Sequence, residues 1–143
     1  MEILKTTPED PRALALFSRH DDFMIDFLGP DQKYYTRYTS QEAIEAVWLA
    51  LEDGQPMGCI AFRKKDDTTG EVKRLFVQGG FRGKGVSKPL LAALRAHALA
   101  AGCRKLFLDT RITLEPAASL YQRMGFRITY QQGLYVQMEL TLL

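Results

Sequence analysis

The stretch that decides the fold runs Glu71-Val72-Lys73-Arg74-Leu75-Phe76-Val77-Gln78-Gly79-Gly80-Phe81-Arg82-Gly83-Lys84-Gly85-Val86-Ser87-Lys88-Pro89-Leu90-Leu91. Glu71 to Val77 reads as a strand, and Gln78 to Gly85 contains four glycines. Beyond them Val86, Leu90, Leu94, Ala98 and Ala101 recur near helical spacing, with Leu91 and Leu99 widening the apolar stripe. Strand, glycine turn and helix start together make an anion site, because backbone N–H groups and the positive end of the helix converge there. Glycine lets a ligand come close to the backbone, and Arg82, Lys84 and Lys88 add positive charge. Phosphate is the expected guest. Pro89 tolerates only the first turn of a helix, so the helix should begin no earlier than about Gly85.

Working toward the N-terminus, Val47 to Leu51 and Met57 to Arg63 read as strands joined at Glu52-Asp53-Gly54-Gln55-Pro56, since Asp-Gly supplies the positive φ of a tight hairpin. A second turn at Asp66 to Gly70 leads into the strand from Glu71, giving an antiparallel meander. Ile3 to Lys5 opens as a short strand, residues 9–19 as a helix, and Ser40-Gln41-Glu42 as the start of a short capped helix. The aromatic stretch between them (Phe23, Phe27, Tyr34, Tyr35, Tyr38) is broken by Gly29-Pro30 and takes no firm assignment; it would serve as core or as the lining of an acceptor pocket. Trp48 reads as packing.

Toward the C-terminus, Gly102 is a natural helix cap, Lys105 to Thr110 a strand, Pro116 to Met124 a helix stopped by Gly125, and about 126–130 and 134–141 two closing strands. Strand, helix and strand from 71 to 110 require a parallel pair. The fold class is therefore α/β, with a mixed sheet in one domain over residues 1–143.

Two nucleotide signatures fail against the glycine turn. A P-loop ending at Gly83-Lys84 needs glycine where Gln78 stands and Ser or Thr where Gly85 stands; a dinucleotide fingerprint from Gly83 needs glycine or alanine where Lys88 stands. What matches is Arg82-Gly83-Lys84-Gly85-Val86-Ser87 between a strand and an amphipathic helix. In this the chain resembles the GNAT superfamily of acetyl-CoA-dependent N-acetyltransferases, whose pyrophosphate motif is Gln/Arg-x-x-Gly-x-Gly/Ala. Glu71 to Val77 resembles the family's fourth strand, Leu108-Asp109-Thr110 its fifth, and Leu120-Tyr121-Gln122-Arg123-Met124-Gly125-Phe126 its Leu-Tyr-x-x-x-Gly-Phe segment. Three positions depart from the pattern: Ser87 for a small apolar residue, Gly79 for a frequent proline, and Leu114 for a frequent asparagine.

The resemblance implies a mostly antiparallel mixed sheet flanked by helices, with a parallel pair splayed at the cofactor site. It implies that the pantetheine arm of acetyl-CoA pairs with the backbone of Leu75, Phe76 and Val77. The pyrophosphate would rest on the turn formed by Arg82, Gly83, Lys84, Gly85, Val86, Ser87 and Lys88. Glu71 would accept the proton of the attacking amine and Tyr121 would protonate the departing thiolate; their plainer readings are an exposed carboxylate at a strand start, pairing with Lys73 or Arg74, and a half-buried packing tyrosine. Retention of both residues favours an enzyme acetylating a primary amine of a small molecule or peptide over an acyl-CoA-binding domain that has lost catalysis.

Composition bounds the remaining classes. Nineteen Lys and Arg against seventeen Asp and Glu leave a formal charge of +2, and the basic run Arg63-Lys64-Lys65 is answered at once by Asp66-Asp67, so a nucleic-acid surface is not expected. No apolar run approaches the ~18 residues of a membrane span and the first residues show no signal pattern, which leads to a cytoplasmic expectation. Cys59 and Cys103 stand apart from each other and from His20 and His97, so no metal is expected. Edge strands of such a sheet could pair two copies into a homodimer.

Overall fold

A computed structural model describes residues 1–28, 43–111 and 117–142. The strands are β1 (Glu2–Thr6), β2 (Ala46–Glu52), β3 (Gln55–Lys64), β4 (Thr69–Val77), β5 (Lys105–Arg111), β6 (Arg127–Gln132) and β7 (Tyr135–Thr141). The helices are α1 (Pro11–Leu28), α2 (Ser87–Ala100) and α3 (Ala117–Arg123). Their hydrogen-bonded order is β1-β2-β3-β4-β5-β7-β6. β1 with β2, β2 with β3, β5 with β7 and β6 with β7 pair antiparallel, and β4 with β5 parallel, so the sheet is mixed and mostly antiparallel.

The chain forms two compact units, residues 1–63 with 73–94 and residues 64–72 with 95–143. In the first, β2 and β3 turn back at Asp53-Gly54, where both residues have positive φ (50° and 80°), the signature of a two-residue type I′ turn matched to strand twist. α1 lays Ala13, Leu16 and Phe17 on Val47, Leu49, Leu51, Cys59, Ala61 and Phe76. Burying Leu16 or Phe17 in this way is worth about 1.5–3 kcal/mol each. The other alternation of β2 and β3 (Ala46, Trp48, Ala50, Ile60, Phe62) is buried as well, which is why these strands read as nearly unbroken apolar runs. α1 corrects the sequence reading: it continues to Leu28 instead of stopping at 19, so Phe23 is helical. The expected short helix at 40–42, Tyr34, Tyr35, Tyr38, Leu114 and Pro116 lie outside the described residues.

In the second unit, β5 and β7 pair from Lys105↔Thr141 to Arg111↔Tyr135, with Leu106, Leu108, Val136 and Met138 buried. Both of its helix ends are Schellman closures. At α2, Gly102 takes φ +89° while Cys103 N–H reaches the Ala98 carbonyl (2.9 Å) and Gly102 N–H that of Leu99 (3.1 Å). At α3, Gly125 takes φ +99° while Phe126 N–H reaches the Tyr121 carbonyl (3.0 Å) and Gly125 N–H that of Gln122 (3.1 Å). The 64–68 connection is a tight turn in which Asp66 Oδ1 accepts the N–H groups of Thr68 and Thr69 (3.0 and 2.9 Å), so the acidic residues after the basic run shape a hairpin.

Candidate active site

The glycine-rich segment leaves β4 at Val77, makes one short 3-10 turn at Gly79–Phe81, and enters α2 at Ser87. Pro89 therefore sits in the first turn of α2, where it removes no helical hydrogen bond. Gly83 and Gly85 have φ +78° and +73°, and a Cβ built on either would meet nothing within 4 Å. Their need for glycine is thus conformational, and the space above them is open to a ligand. Val86 is buried and anchors the turn, while Gly83, Lys84, Gly85 and Lys88 are exposed.

Arg82 behaves differently from the other cations of the turn. Its Nε donates to the Val77 carbonyl (3.0 Å), its backbone N–H to Gly79 (3.4 Å), and its guanidinium lies 4.6 Å from the centre of the Phe23 ring and 5.9 Å from that of Phe76. It ties the turn to the end of β4 and covers Phe23, which also packs against Phe76 (6.3 Å between ring centres).

Beneath β4 lies a polar cluster that sequence reasoning missed. Arg74 adopts φ +56° inside a strand, a conformation costing about 1–2 kcal/mol for a residue with a Cβ. Its Nη1 lies 2.6 Å from Asp21 Oδ1 and 3.5 Å from His20 Nδ1, and its guanidinium sits 5.6 Å from the Phe17 ring centre. His20 packs on Phe76 (5.3 Å). Burial first, and the Arg74 charge second, push its pKa down from 6.5 to about 4, with Asp21 opposing. Since Arg has no acceptor, Nδ1 faces it as the lone-pair nitrogen. Cys59, buried beside this cluster, donates from Sγ to the Arg74 carbonyl (3.3 Å); burial pushes its thiol up to about 12, so it is an inert structural thiol. One signal was present in the sequence: Ala13, Leu16, Phe17, His20 and Asp21 share the inward stripe of α1, so two polar residues occupy positions the period reserves for apolar ones.

Glu71 is not the exposed carboxylate at a strand start that its plainer reading describes. It lies inside β4, only 8% exposed, opposite Phe107 in the parallel ladder. That ladder runs Thr69↔Lys105, Gly70↔Leu106 and Glu71↔Phe107. Tyr121, expected half-buried, is 7% exposed and meets Phe126 edge-on (5.5 Å, 63°). Burial raises its pKa above the ordinary phenol value, so the proton stays on at neutral pH. The structure thus joins the 73–77 end of β4, the turn and α1 within the first unit, and places Glu71 opposite Phe107 in the ladder and Tyr121 against Phe126 within the second.

Comparisons with known proteins bear on the family and the fold. Residues 15–126 match the model of the acetyltransferase (GNAT) family. The chain is similar to the N-acetylaspartate synthetase of Homo sapiens, at 33% identity over 116 residues covering 80% of this chain and 38% of that protein. It spans between 33% and 39% of the length of the first curated relatives it matches. Among solved structures, a protein described as an acyl-CoA N-acyltransferase from Klebsiella pneumoniae superposes with a TM-score of 0.81 at 28% identity, covering 99% of this chain and 97% of that one. A GNAT family acetyltransferase from Elizabethkingia anophelis with acetyl-CoA bound shares the fold, with a TM-score of 0.72 at 20% identity over 98% of this chain and 97% of that one. The chain belongs to the GNAT family of acetyltransferases.

Proposed function

We propose that the chain transfers the acetyl group of acetyl-CoA to a primary amine of a small molecule or peptide by direct attack, within one domain spanning residues 1–143. The observation that carries this reading is the turn between β4 and α2, where two left-handed glycines have open space above them at a helix start. Residues Arg82 to Lys88 would hold the pyrophosphate, chiefly through backbone N–H groups, with Lys84 and Lys88 adding charge and Arg82 keeping the turn on β4. Acetyl-CoA supplies a thioester carbonyl open to an uncharged amine. Backbone N–H groups around Leu75, Phe76 and Val77 would orient the pantetheine arm and polarise that carbonyl.

Glu71 would take the amine proton, directly or through one water, and the buried, protonated Tyr121 would return a proton to the leaving sulfur. That a relative is named for an N-acetylated amino acid supports an amine acceptor. Phe23, at the Arg82 end of β4, would contribute to the acceptor side. The two free, buried cysteines suit a reducing compartment, and we place the protein in the cytoplasm. Among the described residues no helix is long and apolar enough to cross a membrane, and no group of three His, Cys, Asp or Glu could hold a metal. Self-pairing through the edge strand β6, exposed at every residue, would give a homodimer visible by sedimentation.

The test is CoA release from acetyl-CoA with a panel of amines. An acyl-CoA-binding domain without catalysis would bind the donor and release nothing. Glu71→Gln should keep donor affinity while slowing turnover by at least about tenfold, most at low pH where the amine arrives protonated. Unchanged turnover across the pH range would make Glu71 a structural carboxylate.

A further inference from the structure

We propose that the buried Asp21–Arg74 ion pair is a positioning clamp. It holds Arg74 in its left-handed conformation so that the backbone of Leu75, Phe76 and Val77 is presented to the pantetheine arm of acetyl-CoA. The inference rests on β4 being the donor strand, and the experiment below separates failure of the clamp from failure of that reading.

The first argument is what the pair does not explain by itself. Asp21 and Arg74 are 5% and 6% exposed at their side chains, and a pair so buried contributes little that apolar residues of the same volume would not. α1 already has an apolar stripe in Ala13, Leu16 and Phe17 that continuation at 20 and 21 would have extended. Instead positions 20 and 21 of the stripe carry His20 and Asp21, directed at Arg74, a strand residue whose φ is positive. Strain of this kind persists only where surrounding contacts over-determine it, and such contacts are present.

The second argument is the density of those contacts along 74–78. The Arg74 carbonyl takes the Cys59 thiol (3.3 Å). The Phe76 carbonyl passes so close to Gly58 that a Cβ there would stand 2.6 Å from it, so β3 and β4 meet on bare backbone. The Val77 carbonyl takes Arg82 Nε (3.0 Å). Gln78 bonds from its backbone N–H to the Met57 carbonyl (2.9 Å) and from Nε2 to the Pro56 carbonyl (2.7 Å), and Arg19 of α1 donates to its Oε1. The segment is pinned at both ends, and the Asp21–Arg74 pair sets its starting rotation. A turn about Arg74 would redirect each N–H and carbonyl that follows, and an error of about 1 Å at a reacting group is enough to cost large factors in rate.

The experiment compares two probes on purified variants: acetyl-CoA, and the nucleotide diphosphate portion of CoA lacking its pantetheine arm. Asp21→Asn should weaken acetyl-CoA by about tenfold and leave the nucleotide portion within twofold, because only the arm meets β4. Arg74→Lys, which keeps the charge, should lie between parent and Asp21→Asn. If Asp21→Asn does not fold, the double variant Asp21→Leu/Arg74→Met replaces the pair by apolar volume and should show the same selective loss. Equal weakening of both probes, or parent-like binding of acetyl-CoA by a folded double variant, would overturn the clamp. Failure of the parent to distinguish the two probes would instead overturn the reading of β4 as the donor strand.

Discussion

The glycine turn at 82–87 and the Leu120–Phe126 segment match the family pattern about equally well in letters, yet they differ in what their local structure requires. Around Phe126 each matched residue has a structural duty. Gly125 closes a Schellman motif, Phe126 supplies its last donor, and Tyr121 packs on Phe126 at the contact such motifs favour. At the turn, Gly83 and Gly85 answer a conformational demand but leave the space above them empty. The difference teaches that local packing gives the turn's glycines no duty beyond their conformation, which leaves room for the proposed ligand, whereas the tyrosine's position is explained by packing before any chemistry is invoked.

The largest expected effect breaks the turn. Gly85→Asp places a carboxylate where the pyrophosphate is proposed to lie and forces a β-carbon into φ +73°. Acetyl-CoA affinity measured by calorimetry should fall at least about a hundredfold, near 3 kcal/mol. Gly85→Asn, which tolerates the left-handed region, should lose much less. Equal losses would mean that shape alone, and not charge, fills the site.

Tyr121→Phe sharpens the other side of the comparison. It keeps the ring on Phe126 and removes only the hydroxyl, so the melting temperature should hold while kcat falls at least about tenfold, with donor affinity unchanged. If kcat stays within about twofold, the packing account of Tyr121 is complete and the thiolate takes its proton elsewhere. Gly125→Ala tests the packing itself. Its φ of +99° and a Cβ 3.2 Å from Leu140 Cδ1 should lower stability by about 1–2 kcal/mol in urea denaturation without altering donor affinity.

These contrasts explain what the sequence made legible. The hairpin at Asp53-Gly54, the stop at Gly102 and the start of α2 beyond Gly85 were readable because each depends on one residue's backbone freedom or a missing N–H. The length of α1 was not, since Asp21 and Asp22 look like a helix end until Arg74, fifty-three residues away from Asp21, is known to take one of them inside. For the same reason the burial of Glu71 was illegible: β4 begins two residues earlier than its apolar pattern suggests, and β5 pairs beside it with Phe107 opposite Glu71. Periodicity reports what faces inward; it does not report which inward polar residue finds a partner.

The smallest expected effect concerns that same inward polar group. His20 is half-buried, and desolvation with the Arg74 charge holds its folded pKa near 4 against an ordinary 6.5. Above pH 6.5 it is neutral in both folded and unfolded chains, so its contribution to stability is fully present there. As pH falls from 6.5 toward 4 the unfolded chain takes up a proton that the folded chain refuses, and stability is lost across that window. A fully buried group would give up to about 1.4 kcal/mol per pH unit; partial exposure should limit the total to about 1–2 kcal/mol. Urea denaturation at successive pH values between these limits should show the decline, and His20→Gln should flatten it while leaving carboxylate titration at lower pH in place. A slope unchanged in the variant would assign the acid sensitivity to other groups and leave His20 as a spacer between Arg74 and Phe76.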